Sequence, residues 1–336
     1  MIDQDSDFNG RSYRDNPLGG TETAFVLLAE SFSKLGHKVI ALTKTSESIV
    51  YNGVKWKPLS TKIKSCDLYI INRAPSLLRR APKNKQTILW LHNPASYLNK
   101  FRNLRCLLLK KIKVVCSGEF HFNSVPFWLK KRTTIIPLGL SNDVLSQEIV
   151  NDKIPDPVVI FTSNPERGLV WLSELWVKHI IKSVPNAQLH IFAGHKTYGG
   201  RNRNKILNIL NKVKGLNNNS IKLFEPIPKN LLFKKILKSR AMLYQGDPGE
   251  TFCLSIAEAQ ALGIPCVIKP IGCLAERVVD KITGVIAQTD KEFCEGAIDI
   301  LKNDDLWFEY RKNSLKLQRN LKWDNIAEQY IKLINY

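Results

Sequence analysis

The sequence predicts an α/β protein of two tandem Rossmann-like domains, each a doubly wound sheet, facing across a cleft. Three observations carry this. The chain has 336 residues, more than a single hydrophobic core of about 250 to 300 residues accommodates. Short apolar runs rich in β-branched residues alternate with longer amphipathic segments, the pattern of parallel βα units rather than of a sandwich or bundle. That pattern runs once, stops at a polar connection, and starts again.

In the first half the periodicity predicts a helix over Thr21 to Leu35, strands over Lys38 to Thr43, Asp67 to Asn72 and Gln86 to His92, then a further helix. A strand over Lys113 to Ser117, a helix over Glu119 to Leu129 and a strand over Thr133 to Pro137 complete it. The connection Ser141 to Pro157 contains Asn142, Asn151, Pro155 and Pro157, as expected where few contacts cross between domains. The second half reads as strand Val158 to Thr162, helix Gly168 to Val184, strand Gln188 to Ala193 and a helix from about Asn204. Strand Ile221 to Phe224, helix Lys229 to Lys238, strand Ala241 to Tyr244, helix Thr251 to Leu262 and strand Pro265 to Ile268 follow. The expected domains are residues 1–145 and 146–321, with a tail helix over 322–336 whose apolar face is Ile326, Tyr330, Ile331 and Leu333. One feature is irregular: only Met1 and Ile2 precede the acidic stretch ending at Asp7, so the first strand is expected to be short or missing.

Composition narrows the class. Apolar residues are 44% and charged residues 24% of the chain, ordinary for a globular protein. No run reaches the 18 or more apolar residues of a membrane span, and the start is acidic where a signal peptide would be basic and then apolar, so a cytoplasmic protein is expected. The seven cysteines form no CxxC pair and sit in apolar runs, reading as reduced core thiols. The net charge is +20, and 18 Lys and Arg face two acids between Lys55 and Arg132. Such a stretch suits an anionic membrane surface or a polyanionic acceptor, or reflects a Lys- and Asn-rich composition spread over solvated faces. Nucleic acid is disfavoured because no recognition motif or interleaved aromatic stripe accompanies the charge.

Four constellations can carry chemistry. Gly19-Gly20-Thr21-Glu22 stands at a helix start, where backbone amides can approach a phosphate, or where Thr21 simply caps a turn. Leu91-His92-Asn93-Pro94 ends an apolar strand, so His92 can donate a hydrogen bond to a sugar or phosphate oxygen. Arg167, in Ser163-Asn164-Pro165-Glu166-Arg167-Gly168, can bridge phosphate oxygens, or can pair with Glu166 or Glu174 at the surface. The most informative run is Gly249-Glu250-Thr251-Phe252-Cys253-Leu254-Ser255-Ile256-Ala257-Glu258. Glu250 lies in the turn after a strand, and at ~1.5 Å rise per residue Glu258 would lie some ~12 Å further along the helix axis, about the span from sugar to ribose in a nucleotide sugar. The amides of Thr251, Phe252, Cys253 and Leu254 would face a diphosphate. Glu258 stands in apolar company, a poor place for an idle charge. The triplets Asp3-Gln4-Asp5 and Asp5-Ser6-Asp7 imitate a metal-binding DxD but follow no strand, so no metal site is expected.

The run GETFCLSIAEAQALGIPCV resembles the E-x7-E signature of the retaining glycosyltransferases of family 4, which have the GT-B fold. GGTETAFVLLAESFSKLGHKVIALT, LHNP, VVCSGEFHFN and IIPLGL resemble that family's other segments in order, and the tail from Trp323 resembles its closing helix, which crosses back to the first domain. The resemblance implies that Glu250 holds the donor sugar, Glu258 the ribose, Arg167 and Gly20 the diphosphate, and His92 the sugar or its phosphate. It implies transfer from a nucleotide sugar to a glycan or lipid-linked acceptor with retention of configuration, without resident cofactor or metal, because fixed positive groups stabilise the leaving diphosphate. Phe161 departs from the family's Arg six positions before residue 167, leaving Lys196 as a candidate replacement charge. Rival readings are a nucleotide-sugar epimerase or phosphorylase, a catalytically inactive relative, and a dehydrogenase, the last weakened because no GxGxxG follows a strand.

Overall fold

A computed structural model describes residues 1–83, 85–110, 112–149, 153–198 and 202–335. Asn151 of the expected connection and Tyr336 of the expected tail helix lie outside them. The chain divides into two compact units, Met1–Asp15 with Gly20–Gly139 and Leu321–Tyr336 in the first, and Asn16–Gly19 with Leu140–Asn320 in the second. Both are α/β structures whose strands pair mainly in parallel.

The first unit contains β1 (Ile40–Thr43), β2 (Ile49–Tyr51), β3 (Val54–Pro58), β4 (Leu68–Asn72), β5 (Gln86–Trp90), β6 (Lys113–Cys116) and β7 (Thr133–Ile135). Strands β1-β3-β2 and β4-β5-β6-β7 pair among themselves, and Ile2 bridges the two groups through parallel contacts with Leu42 and Ile71. The expected first strand is therefore present but minimal. Ile2 N–H donates to the Ile70 carbonyl, Asn72 N–H to that of Ile2, Asp3 N–H to that of Leu42, and Leu42 N–H to that of Met1. The acidic stretch behind it converges on one cation: Arg73 Nη2 meets Asp3 at 2.7 Å and Glu22 at 3.0 Å, and Arg73 Nε meets Asp5 at 3.2 Å. Burial works against the guanidinium charge, and the three carboxylates outweigh it.

Helix Gly20–Lys34 buries Ala24, Phe25, Val26, Leu28, Ala29 and Phe32, with Phe25 edge-on to Phe8 at 5.5 Å between centroids. It begins at Gly20, so Thr21 lies within the helix and is not its cap. The β2–β3 hairpin was not expected; its turn is Asn52-Gly53, both at positive φ (46° and 75°), as a two-residue turn matching strand twist requires. The expected helix over Glu119 to Leu129 is two pieces, Glu119–Asn123 and Phe127–Lys130. Pro126 between them has no amide to continue a helix and disfavours helical geometry in the residue before it. Helix Trp323–Lys332 returns to this unit, where Tyr330 meets Phe32 and Trp90 edge-on at 6.2 and 5.8 Å.

The second unit is a six-stranded parallel sheet of β8 (Val158–Phe161), β9 (Gln188–Phe192), β10 (Ile221–Phe224), β11 (Ala241–Tyr244), β12 (Cys266–Ile268) and β13 (Gly284–Ile286), in the order β10-β9-β8-β11-β12-β13. The chain reverses direction of addition between β8 and β11, the kind of switch point beside which open α/β sheets bind ligands. Strand β11 is buried at all four residues, so the loop following it is set by a fixed support. All seven cysteines are free, five buried and Cys66 and Cys106 half-buried. Among the described residues no helix is long and apolar enough to cross a membrane.

Candidate active site

The two signature glutamates lie in the second unit, after β11. Helix Leu254–Ala261 begins at Leu254, three residues later than the sequence suggests. The cause is Cys253, which precedes the helix at φ 60° and ψ 75°, a left-handed conformation uncommon for a residue with a side chain. Such backbone persists only when its surroundings over-determine it, and Cys253 is buried, with its Sγ 3.4 Å from Ser255 Oγ. Thr251, Phe252 and Cys253 are thus buried loop residues, and the amides that stand ahead of the first helical bond, Ala257 N–H to the Cys253 carbonyl, are those of Leu254, Ser255 and Ile256. Because Glu250 is outside the helix, its separation from Glu258 is not a helical rise.

Glu250 is 3% exposed. Arg167 Nη1 donates to its Oε1 at 2.5 Å, while Oε2 is buried with no hydrogen bond. Burial raises the carboxyl's pKa, and Arg167, then more weakly the neighbouring Tyr244 hydroxyl and Cys253 thiol, oppose the rise. The surface alternatives for Arg167 do not form. Glu166 instead pairs with Lys205 and accepts from Asn202 at 3.1 Å, and Glu174 lies 4.0 Å from Lys178. Gly168, next to Arg167, has φ 85°, and a Cβ there would stand 2.2 Å from Gln245, so only glycine allows the turn that aims Arg167 at Glu250. Behind the pair, Ser163 Oγ and the Tyr244 hydroxyl share a hydrogen bond of 2.9 Å.

The loop closes on Gly272. At φ 62°, a Cβ on it would stand 2.6 Å from the Asp247 carbonyl and 3.1 Å from that of Glu250. The Glu250 carbonyl also accepts from Cys273 N–H at 3.3 Å. Glu258 is 4% exposed and bonded at Oε2 by Lys229 Nζ, 2.5 Å away. Phe161, where the resemblance would have an Arg, is a core residue 1% exposed, tilted against Tyr244 at 5.9 Å. Lys196 is exposed and lies 3.4 Å from Glu225.

Gly20 and His92 belong to the first unit. Gly19 is buried and falls in the second unit's residue set, whereas Gly20 is exposed and opens the first unit's helix. His92 follows β5 in the first unit, half-buried, its ring 4.4 Å from that of Trp90. Burial, then the charges of Arg73 and His121, depress its pKa well below the usual histidine value, so the ring is neutral. His121 holds this turn: its Nε2 lies 2.9 Å from the Asn93 carbonyl, and Nδ1 accepts from Ser117 N–H at 3.2 Å. Sequence reasoning missed His121, Gly272 and Lys229. The last left one trace, a lysine in the first turn of helix Lys229–Ile236, where its charge opposes the helix dipole. Among the described residues no group of three or more His, Cys, Asp or Glu is placed to hold a metal ion.

Known proteins share this architecture. The model of the family described as glycosyl transferases group 1 matches residues 156–303, the span that holds Arg167, Glu250 and Glu258. Sucrose-phosphate synthase from Thermosynechococcus elongatus superposes with a TM-score of 0.77 at 17% identity, over 99% of this chain and 98% of that one. HepE of Anabaena, solved in complex with UDP-glucose, gives 0.73 at 13% identity over 99% and 98%. WaaG, a glycosyltransferase involved in lipopolysaccharide biosynthesis, gives 0.65 at 13% identity over 99% of both chains. No curated protein sequence matches significantly. Residues 156–303 of the second unit thus match the glycosyl transferases group 1 family, and the whole chain has the fold of these GT-B glycosyltransferases.

Proposed function

We propose that this glycosyltransferase moves a sugar from a nucleotide-sugar donor, a UDP- or GDP-sugar, to a glycan or lipid-linked acceptor in the synthesis of cell-surface polysaccharide or lipopolysaccharide, with retention of anomeric configuration. One observation carries the reading: a buried carboxylate, Glu250, held by Arg167 beside the N-terminus of a helix that carries a second buried carboxylate, Glu258. An anionic diphosphate is attracted by the helix amides and by Arg167. Glu250 accepts hydrogen bonds from the donor sugar and Glu258 from the ribose. The family resemblance assigns Gly20 to the diphosphate and neutral His92 to the sugar or its phosphate. The UDP bound to HepE and to S. aureus TarM, and the part of WaaG in lipopolysaccharide biosynthesis, support this choice of donor and product class.

In the reaction the anomeric C–O bond to the diphosphate breaks as the acceptor oxygen bonds to the same face, and a diphosphate oxygen takes the acceptor's proton. No protein nucleophile, resident cofactor or metal is required, since the fixed positive groups stabilise the departing charge. We assign the work to the cytoplasmic side of an anionic membrane. Phe101 and Phe127 are 85% and 88% exposed, on segments tied together by Trp128 Nε1 donating to Asn99 Oδ1 at 3.0 Å. Lys100, Arg102, Arg105, Lys131 and Arg132 are exposed around them. Paired aromatic and basic groups of this kind suit an anionic interface.

A thermal-shift panel of UDP, GDP, ADP and their sugars tests the donor assignment, because a ligand that binds the folded chain raises its melting temperature. Glu250→Ala is expected to abolish transfer while leaving the fold intact, since it removes a carboxyl that burial already penalises. Undiminished transfer by that variant, or a product of inverted configuration, refutes the corresponding part of the reading.

A further inference from the structure

The lysine facing Glu258 carries an inference that rests on the donor reading and deepens it. Lys229 opens helix Lys229–Ile236, against the helix dipole. Its side chain is only 13% exposed, and that of Glu258 only 5%. The ammonium lies 2.5 Å from Glu258 Oε2 and 5.8 Å from the centre of the Phe233 ring. Among the described residues no other acid pairs with Lys229, and no donor reaches the second oxygen of Glu258. Desolvating two charges is expensive, and a buried pair of this kind is better attested as a device for fixing geometry than as a source of stability.

We propose that Lys229 is the positioning residue of the donor's ribose subsite. By bonding Oε2 it supplies the counter-charge and holds the carboxylate in one orientation, so that Oε1 is the oxygen left to accept the ribose hydroxyls. The role is specificity for ribose over deoxyribose, and it lies in binding rather than in the bond-breaking step.

The test uses the full chain and calorimetric Kd values for UDP and GDP, each against its 2′,3′-dideoxy analogue. Wild type is expected to prefer the ribose form. Lys229→Met is expected to weaken the ribose form roughly tenfold, the size of one hydrogen bond to a charged group, and to leave the dideoxy form unchanged. Donor KM should rise by the same factor while kcat holds, and Lys229→Arg should recover most of the preference. Lys229→Gln, neutral but able to donate to Oε2, is measured alongside in case Lys229→Met does not fold, and should lose about threefold. A Lys229 variant that keeps the ribose preference lost in Glu258→Gln overturns the role of Lys229 alone. Wild type that binds neither diphosphate, or binds one without ribose preference, overturns the donor reading and this inference with it.

Discussion

Acidification should loosen the turn that carries His92, and His121 sets the size of the effect. The His121 side chain is fully buried, with Nδ1 3.0 Å from Ser117 Oγ and 3.2 Å from Ser117 N, and Nε2 2.9 Å from the Asn93 carbonyl. Protonating Nδ1 would set an N–H against the Ser117 N–H. Burial accordingly lowers the pKa from 6.5 to about 4, although the Asn93 carbonyl favours the charged ring. The unfolded chain takes up a proton below pH 6.5 and the folded chain does not until about pH 4, so stability falls as the pH drops through that window. Each pKa unit is worth about 1.4 kcal/mol, which gives a loss of about 2 kcal/mol at pH 5 and about 3 kcal/mol by pH 4. Urea unfolding of wild type and His121→Asn at pH 7 and pH 5 isolates the contribution. The variant starts less stable, because it loses the two-sided hydrogen bonding, but wild type should lose about 2 kcal/mol more than the variant between the two pH values. Equal losses would refute the assignment of a neutral, buried His121.

Two further outcomes follow from geometry already described. Gly272→Ala forces a Cβ to within 2.6 Å of the Asp247 carbonyl at φ 62°; it should cost roughly 1 to 3 kcal/mol and abolish the thermal shift given by the donor nucleotide, and an unchanged shift would show that the loop does not depend on that contact. Phe101→Ser with Phe127→Ser should reduce flotation with vesicles containing anionic lipid several-fold, by removing about 2 kcal/mol of apolar burial per ring. Equal flotation of the double variant, or equal binding to neutral vesicles, would remove the membrane from the proposed function.

The parallel architecture was legible because it is written in periodicity, and Val158–Phe161 or Ala241–Tyr244 can hardly be read otherwise. Failures occurred where one residue decides. Pro126 splits a helix that amphipathic spacing alone would run through, although the proline itself was there to be read. Asn52-Gly53 is an equally visible hairpin signal between two short strands. Cys253 is different in kind. Nothing in its chemistry announces a left-handed backbone, and that single conformation moves the helix start and decides which amides are offered to a ligand. At the site, the glutamates and Arg167 were legible as residue types, but their pairing was not: Arg167 joins Glu250 across 83 positions of sequence and Lys229 joins Glu258 across 29. The first of these partners is chosen by the sheet order, which brings the loops after β8 and β11 side by side.

The minimal strand at Ile2 has a mechanical consequence. Seven strands of the first unit behave as one sheet only because a segment barely three residues long is stitched to β1 on one side and β4 on the other. That segment is a seam, and Arg73, tied to Asp3, Asp5 and Glu22, is the rivet beside it. Under a pulling force or in slow hydrogen exchange, the amides of Ile2, Asp3 and Asn72 should give way before those of β5 and β6, which have full-length neighbours on both sides. The sheet should part there into a three-stranded and a four-stranded half.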